Sequence, residues 1–287
     1  VIEINCGYAK DFDDSETLRL LSDFATSKID GRSNWGEFLE EFFSKVIEKA
    51  PKMSVAGSFE LVKVFWRESA FSPSAVFILD TYLQVTNERY QRLEMAFDLH
   101  PRDTLFYFLL NVSSDQLSCS AASCLSILSF GSDSQVHQLL FPNIVRDMVM
   151  VIRQQTVQCL SYVLTTISNI VLTGQYFADL LVTTDLLESI LLRVADSENV
   201  SLAARGLHCL YDLLSVTNHI NCLHMITCCK IHDVAWNCLE WDSVSVALES
   251  IRLLRLLVDK SDGKELDALV NTQRIDLLRE LSESSNL

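Results

Sequence analysis

The sequence predicts an all-α fold, a right-handed α-solenoid built from repeated units of three helices. The 287 residues include only 8 glycines and 4 prolines, too few for the many tight turns of a β-sandwich or β-barrel. Hydrophobic residues make up 49% of the chain, which is enough to form a large core. Long apolar segments also recur at intervals of about 40 to 46 residues, the range typical of helical solenoids.

Five long apolar segments carry this period, and each is predicted to form a helix: 75–86, 116–130, 156–172, 200–216 and 244–258. Aligned on one anchor residue in each helix, they are 46, 39, 43 and 44 residues apart; the anchors are Leu79, Leu125, Leu164, Leu207 and Ile251. Three residues after each anchor comes a second, mostly apolar position, occupied by Tyr82, Leu128, Ile167, Leu210 and Leu254. Residues three apart share one face of a helix, so we expect every long helix to bury the same stripe.

Two shorter helices are predicted in each interval between long helices. They are 135–141 with 143–153, 175–182 with 185–194, 219–226 with 231–241, and 265–270 with 273–281. Connectors such as SDS, TTD, DSEN and KSDG separate the helices, and their Asp, Ser and Asn residues are good N-caps. Each unit is therefore expected to contain a short, a medium and a long helix.

The N-terminal part follows the same rhythm less clearly. Segments 58–66 and 103–112 are predicted medium helices and 88–97 a short one, whereas the amphipathic segments 16–26 and 35–50 fit no register. A terminal repeat has to shield the core from water, so atypical sequence is expected there. We interpret 1–56 as a degenerate N-terminal repeat or helical cap, and 57–287 as repeats continuous with it in one solenoid domain.

The segment LTTISNIVLTG, Leu164 to Gly174, resembles the third helix of importin-alpha (karyopherin-alpha) repeats. The three-helix pattern over about 57 to 285 resembles the armadillo repeat, which implies an armadillo/HEAT-like architecture and a nuclear-transport-related adaptor. In that family a Trp and, four residues later, an Asn line a concave peptide groove. The matching pairs here contain no Trp, and Asn169 alone keeps the family residue; the pairs are Asp80/Gln84, Ser126/Phe130, Thr165/Asn169, His208/Asp212 and Arg252/Leu256.

These matching positions form a largely polar row on helices that are otherwise apolar. A buried polar group without a partner costs about 1–3 kcal/mol, so we expect the row to face water on the inner surface of the superhelix. Together with the position three residues earlier, it predicts a concave groove for an extended peptide. The candidate binding residues are Tyr162, Asn169, Arg205, His208, Asp212, Glu249 and Arg252. Alternatively, these side chains only solvate one face or pair with each other, as Arg205 and Glu249 could.

Catalytic and metal-binding patterns are not found. A His/Cys cluster lacks the paired C-x2-C spacing of zinc sites, so we expect no metal; its members are His208, Cys209, His219, Cys222, His224, Cys228, Cys229 and His232. The Ser-rich stretches contain no nucleophile elbow. We therefore expect no catalytic residue, no cofactor and no enzymatic activity.

Charge and cysteine content suggest the class of partner and the compartment. With 38 acidic and 23 basic residues the net charge is −15, which disfavours nucleic acid and favours a basic partner. Between Arg153 and Asp179 no residue is charged, but the many Gln, Ser, Thr and Asn residues predict a buried helix without membrane insertion. Nine cysteines in a core-rich chain, and a start without a signal peptide, predict reduced thiols in the cytoplasm or nucleus.

The predicted function is a non-enzymatic adaptor or scaffold that binds a protein or peptide partner. In the leading hypothesis a linear, basic peptide lies in the concave groove. In the alternative, the chain is a structural scaffold subunit of a multiprotein complex and binds folded partners through convex or end surfaces.

Overall fold

The computed structural model describes residues 45, 54–68, 72–111, 114–140, 143–195, 197–218, 222–223, 228–261 and 274. Within these ranges the chain forms thirteen α-helices and no strand. They are α1 (Val55–Glu68), α2 (Pro73–Gln84), α3 (Arg89–Phe97), α4 (Arg102–Asn111), α5 (Asp115–Leu128), α6 (Asp133–Leu140), α7 (Ile144–Gln154), α8 (Val157–Thr173), α9 (Gln175–Leu181), α10 (Thr184–Ala195), α11 (Val200–Val216), α12 (Ile231–Leu239) and α13 (Val244–Lys260).

The five predicted long helices are α2, α5, α8, α11 and α13, and no end differs from its prediction by more than two residues. Capping side chains set the start of four of them. The side chains of Ser72, Ser114, Asn199 and Ser243 each accept a hydrogen bond from the backbone N–H three residues further on. The polar connectors therefore act as the N-caps that the sequence predicted.

The predicted apolar stripe is buried on the long helices, with one difference. Leu79, Leu125, Leu164 and Leu207 are buried, as are all five residues three positions later. Ile251 is only half-buried. The buried face of α13 is centred on Ser250, Leu253 and Leu257, so Ile251 lies at its edge.

The described helices belong to two compact units, Val1–Leu139 and Leu140–Leu287, here called unit 1 and unit 2. In unit 1, α2 packs against α1, α3 and α5, and α4 packs against α5. In unit 2 the long helices α8, α11 and α13 pack in succession, and the medium helices α10 and α12 lie against α11 and α13 respectively. The predicted single domain with a boundary at 56/57 stays a prediction, because residues before 54 lie almost entirely outside the described ranges.

The uncharged stretch between Arg153 and Asp179 forms α8 and most of α9, and its apolar residues are largely buried, as predicted. Over the described residues, no helix combines the length and hydropathy needed to cross a bilayer. The predicted helices 16–26, 265–270 and, apart from single residues, 35–50 and 273–281 lie outside the described ranges, as does most of 219–226.

Candidate functional site

All seven predicted binding residues lie in unit 2, on three long helices packed side by side. Their helices are α8 (Tyr162, Asn169), α11 (Arg205, His208, Asp212) and α13 (Glu249, Arg252). We call these seven residues the groove row. Each long helix contributes a first, a second and a third row position; on α11, for example, these are Arg205, His208 and Asp212.

Exposure of the groove row agrees with the expected water-facing surface except at one residue. Tyr162, Arg205 and Arg252 are exposed, and Asn169, His208 and Glu249 are partly exposed. Asp212 is only 5% exposed, so its expected position in water is wrong. The side chain lies near the Ser168 hydroxyl of the neighbouring helix α8, between the two packed helices.

His208 is the centre of a charged network that joins α11 to α13. Its Nδ1 lies 3.1 Å from Oε2 of Glu249, and its Nε2 lies 3.4 Å from Oδ2 of Asp212. Nη1 of Arg252 donates to Oε1 and Oε2 of Glu249 at 3.0 and 3.2 Å. The Arg252 guanidinium also lies over the Tyr211 ring, 4.7 Å from its centroid. These contacts hold Glu249 and Arg252 in one arrangement before any ligand binds.

Arg205 takes no part in this network. Among the described residues it has no hydrogen bond and no ion pair, and its side chain is exposed. The pair between Arg205 and Glu249 considered from the sequence is not formed, because Glu249 binds Arg252 and His208 instead. Arg205 is thus a fixed positive charge available to a ligand.

The buried carboxyl of Asp212 is held in an unfavourable environment for its charge. Burial raises the pKa of Asp212, and the Ser168 hydroxyl, His208 and Arg252 offset part of that effect. Neither Ser168 Oγ nor Asp212 Oδ2 makes a hydrogen bond of good geometry. Asp212 therefore supports the position of His208 from below the surface and is not itself a contact surface for a ligand.

In unit 1 the same row positions are joined by hydrogen bonds among Ser, Asp and Gln side chains. Ser123, at the first position of α5, donates from Oγ to Oδ1 of Asp80 at 2.8 Å and accepts from Nε2 of Gln84 at 2.7 Å. Asp80 and Gln84 are the second and third row positions of α2. Burial raises the pKa of Asp80, and the hydroxyls of Ser123 and Ser120 and the amide of Gln84 lower it in part.

A common link thus joins neighbouring long helices within each unit. The first position of one helix bonds the second position of the preceding helix, as Ser123 bonds Asp80 and Glu249 bonds His208. Between α8 and α11 the corresponding residues are Arg205 and Thr165. Thr165 donates to the carbonyl of Ser161 in its own helix, so this link is open.

Tyr107 and Asn111, which have the Trp/Asn spacing of the resemblance, lie on the medium helix α4, as the repeat register predicted. They therefore do not extend the row.

The His/Cys cluster does not assemble a metal site in the part of the chain that is described, where no group of three or more His, Cys, Asp or Glu residues is arranged to hold a metal ion. His219 and His224 lie outside those ranges. Burial raises the pKa of Cys229 and of Cys238 to about 11, which keeps both thiols protonated at neutral pH. His232 lies 3.3 Å from Asp233, which also binds Arg274.

A cleft of about 520 Å³, not foreseen from the sequence, lies on the shorter helices of unit 2. Seven of the eleven residues of α7 are apolar, and Val145 and Met150 remain partly exposed at the cleft. This excess of apolar residues on α7 was the only signal in the sequence. The lining residues include Leu140, Val145, Arg146, Met150, Arg153, Leu180 and Asp185.

No family model and no curated protein matches this chain. Solved structures do match. A designed armadillo repeat protein is 12% identical at a TM-score of 0.62, covering 74% of this chain and 87% of its own. Another, solved in complex with the peptide (KR)4, is 13% identical with the same TM-score and coverage. An engineered protein is 13% identical at a TM-score of 0.67, covering 80% of this chain and 92% of its own.

At this level of identity the matches establish the fold alone. They confirm the predicted fold class, an all-α solenoid of armadillo-like repeats. The narrower resemblance to importin-alpha stays a prediction.

Proposed function

We propose that this protein is a scaffold that acts by binding rather than by catalysis, and that it holds a linear peptide segment along the groove row of unit 2. The observation that best supports this proposal is that Tyr162 and Arg205 are exposed at the same row position of two packed helices. Arg252 is exposed one turn further along the third helix. Aromatic and guanidinium side chains are the groups most often responsible for binding energy at interfaces.

The spacing of the helices suits an extended ligand. Packed helices lie about 8–10 Å apart, and an extended chain advances about 3.3 Å per residue. Equivalent positions on α8, α11 and α13 would therefore meet roughly every third residue of a peptide that crosses the helices. The related fold of a designed armadillo repeat protein solved with a peptide supports this mode of binding.

The partner is proposed to be a protein or peptide rather than nucleic acid, because a net charge of −15 repels phosphate backbones. We propose a location in the cytoplasm or nucleus, where the cysteines would stay reduced.

The test is to select peptides for binding to the protein from a random library and measure their affinity for two variants. We expect Tyr162→Ala to weaken binding roughly tenfold, because it removes an exposed aromatic contact. Tyr176→Ala is the matched control, since Tyr176 is an exposed tyrosine of unit 2 on α9, outside the row. Equal affinity of wild type and Tyr162→Ala for every selected peptide would contradict the proposal.

A narrower form of this function is nuclear transport, with a basic localisation signal as the peptide. The segment Leu164–Gly174 and the net charge support it. The missing Trp residues and the engagement of Glu249 by Arg252 count against it. If the protein binds a basic localisation peptide and Asn169→Ala abolishes that binding, the nuclear-transport form is supported. If Asn169→Ala leaves the binding unchanged, that form is rejected.

The second candidate function is a scaffold for a folded partner, favoured by the cleft beside α7. Met150→Glu would place a charge among the apolar lining of that cleft. If Met150→Glu abolishes binding of a partner protein and Tyr162→Ala does not, the shorter helices form the docking surface instead of the groove row.

A further inference from the structure

The charge of the three row helices differs in sign from that of the whole chain. Helix α8 carries no charged residue. Together α11 and α13 carry four basic residues and three acidic ones, a net charge of +1 with His208 neutral; they are Arg205, Arg252, Arg255 and Lys260, against Asp212, Glu249 and Asp259. A chain with a net charge of −15 thus presents a slightly positive set of long helices in unit 2.

The acidic members of the row are already engaged. A basic peptide residue would have to displace Arg252 from Glu249, where two hydrogen bonds of 3.0 and 3.2 Å hold it. Asp212 is buried beside His208 and cannot be reached without moving α8 or α11. The row therefore offers a basic ligand little unpaired negative charge.

The one row cation without an ion pair among the described residues is Arg205. It occupies the open link between α8 and α11, where Ser123 and Glu249 elsewhere bond the preceding helix. Thr165 does not close this link among the described residues; its hydroxyl donates to the carbonyl of Ser161 in its own helix. The exposed ring of Tyr162 lies at the same row position on α8.

We infer that Arg205 selects an acidic side chain, Asp or Glu, in the bound peptide. This rests on the proposed function and specifies its ligand. A guanidinium binds a carboxylate through two parallel N–H···O bonds, a geometry for which the unpaired Arg205 is suited. At physiological ionic strength charges beyond about 8 Å are largely screened, so the local cation outweighs the distant negative residues of the chain.

The test uses three peptide pools that share the sequence selected for binding and differ at one position. That position is Asp or Glu in the acidic pool, Asn or Gln in the amide pool, and Lys or Arg in the basic pool. We expect wild type to bind the acidic pool about two- to fivefold more tightly than the amide pool, the range measured for exposed ion pairs. Arg205→Ala is expected to remove that difference. Arg205→Glu is expected to reverse it in favour of the basic pool.

Arg146→Ala is the matched control, because Arg146 is an exposed arginine of unit 2 that lies at the cleft and not in the row. Circular dichroism would establish that each variant stays helical. Preference of the wild type for the basic pool, or an acidic preference that survives Arg205→Glu, would overturn the inference while peptide binding itself stands. Failure of all three pools to bind, or binding unaffected by Tyr162→Ala, would instead count against the proposed function.

Discussion

Units 1 and 2 use equivalent row positions in different ways. In unit 1 the contact between α2 and α5 is closed by Asp80, Gln84 and Ser123, with hydrogen bonds of 2.7 and 2.8 Å. In unit 2 the contact between α11 and α13 is closed by charged groups, and in the contact between α8 and α11 Arg205 pairs with no described residue. Both units thus keep the buried stripe. At the first row position, unit 1 has a serine that bonds the preceding helix, whereas α11 has an arginine with no partner among the described residues.

The largest expected effect concerns packing that unit 2 has and unit 1 lacks. Gly206 stands where the aligned long helices of unit 1 have Ile78 and Cys124. A Cβ at Gly206 would overlap Cγ2 of Val194, a stiff β-branched side chain on α10. We expect Gly206→Ala to lower the free energy of unfolding by about 1–3 kcal/mol, measured by chemical denaturation.

Gly174→Ala is the matched control, because a Cβ there meets nothing within 4 Å and the backbone is extended. It is expected to be neutral or to stabilise by about 0.4–1 kcal/mol. If Gly206→Ala were as well tolerated as Gly174→Ala, the close approach of α10 and α11 would not distinguish the two units.

The second-largest expected effect concerns the first row position, which is Ser123 on α5 and Arg205 on α11. Ser123→Ala removes a buried hydroxyl that binds both Asp80 and Gln84, so we expect a loss of about 1–2 kcal/mol in unfolding free energy. Arg205→Ala removes an exposed side chain that pairs with none of the residues the structure describes, and it is expected to change stability by less than about 0.5 kcal/mol. Denaturation of both variants under the same conditions tests this, and a larger loss for Arg205→Ala would show that its side chain is structural.

The smallest expected effect is a pH dependence of stability from Asp80. Because burial raises its folded-state pKa above 3.8, the folded state binds the proton more tightly than the unfolded state. The contribution of this group to stability is therefore greatest below pH 3.8 and falls as pH rises through the folded pKa. As pH rises through the folded-state pKa of Asp80, we expect Asp80→Asn to become more stable relative to wild type. This difference in stability is expected to persist at neutral pH.

Asp212→Asn is expected to change stability in the same direction, because burial raises the pKa of Asp212 as well. Thermal unfolding of the three proteins from acidic to neutral pH measures both effects. A wild type that is stabilised relative to Asp80→Asn as pH rises would contradict the prediction for unit 1.

Much of the fold was predictable because helix periodicity and capping act locally. The spacing of Leu79, Leu125, Leu164 and Leu207 located four long helices and their buried face, and Asn199 in the connector DSEN marked the start of α11. Ile251 was less predictable, since the packing of α13 against α11 and α12 rotates it to the edge of the buried face.

The groove row was predictable as a set but not in its pairings. Polar residues at a constant helical position on apolar helices predicted a shared row that faces water, and the seven residues lie on three packed helices. The sequence analysis considered a pair between Arg205 and Glu249. Arg252 is one turn away on the same helix and binds Glu249, whereas Arg205 is on the neighbouring helix and does not.

By itself the sequence determined an all-α repeat fold, the positions of its long helices and the residues of the row, because these depend on periods and caps within a few turns of chain. Tertiary structure decided that Asp212 is buried, that Glu249 binds both Arg252 and His208, and that Arg205 has no partner in the described part of the chain. The burial of Asp212 against α8 and the contact of Glu249 with His208 join residues more than 40 positions apart, which no local pattern encodes.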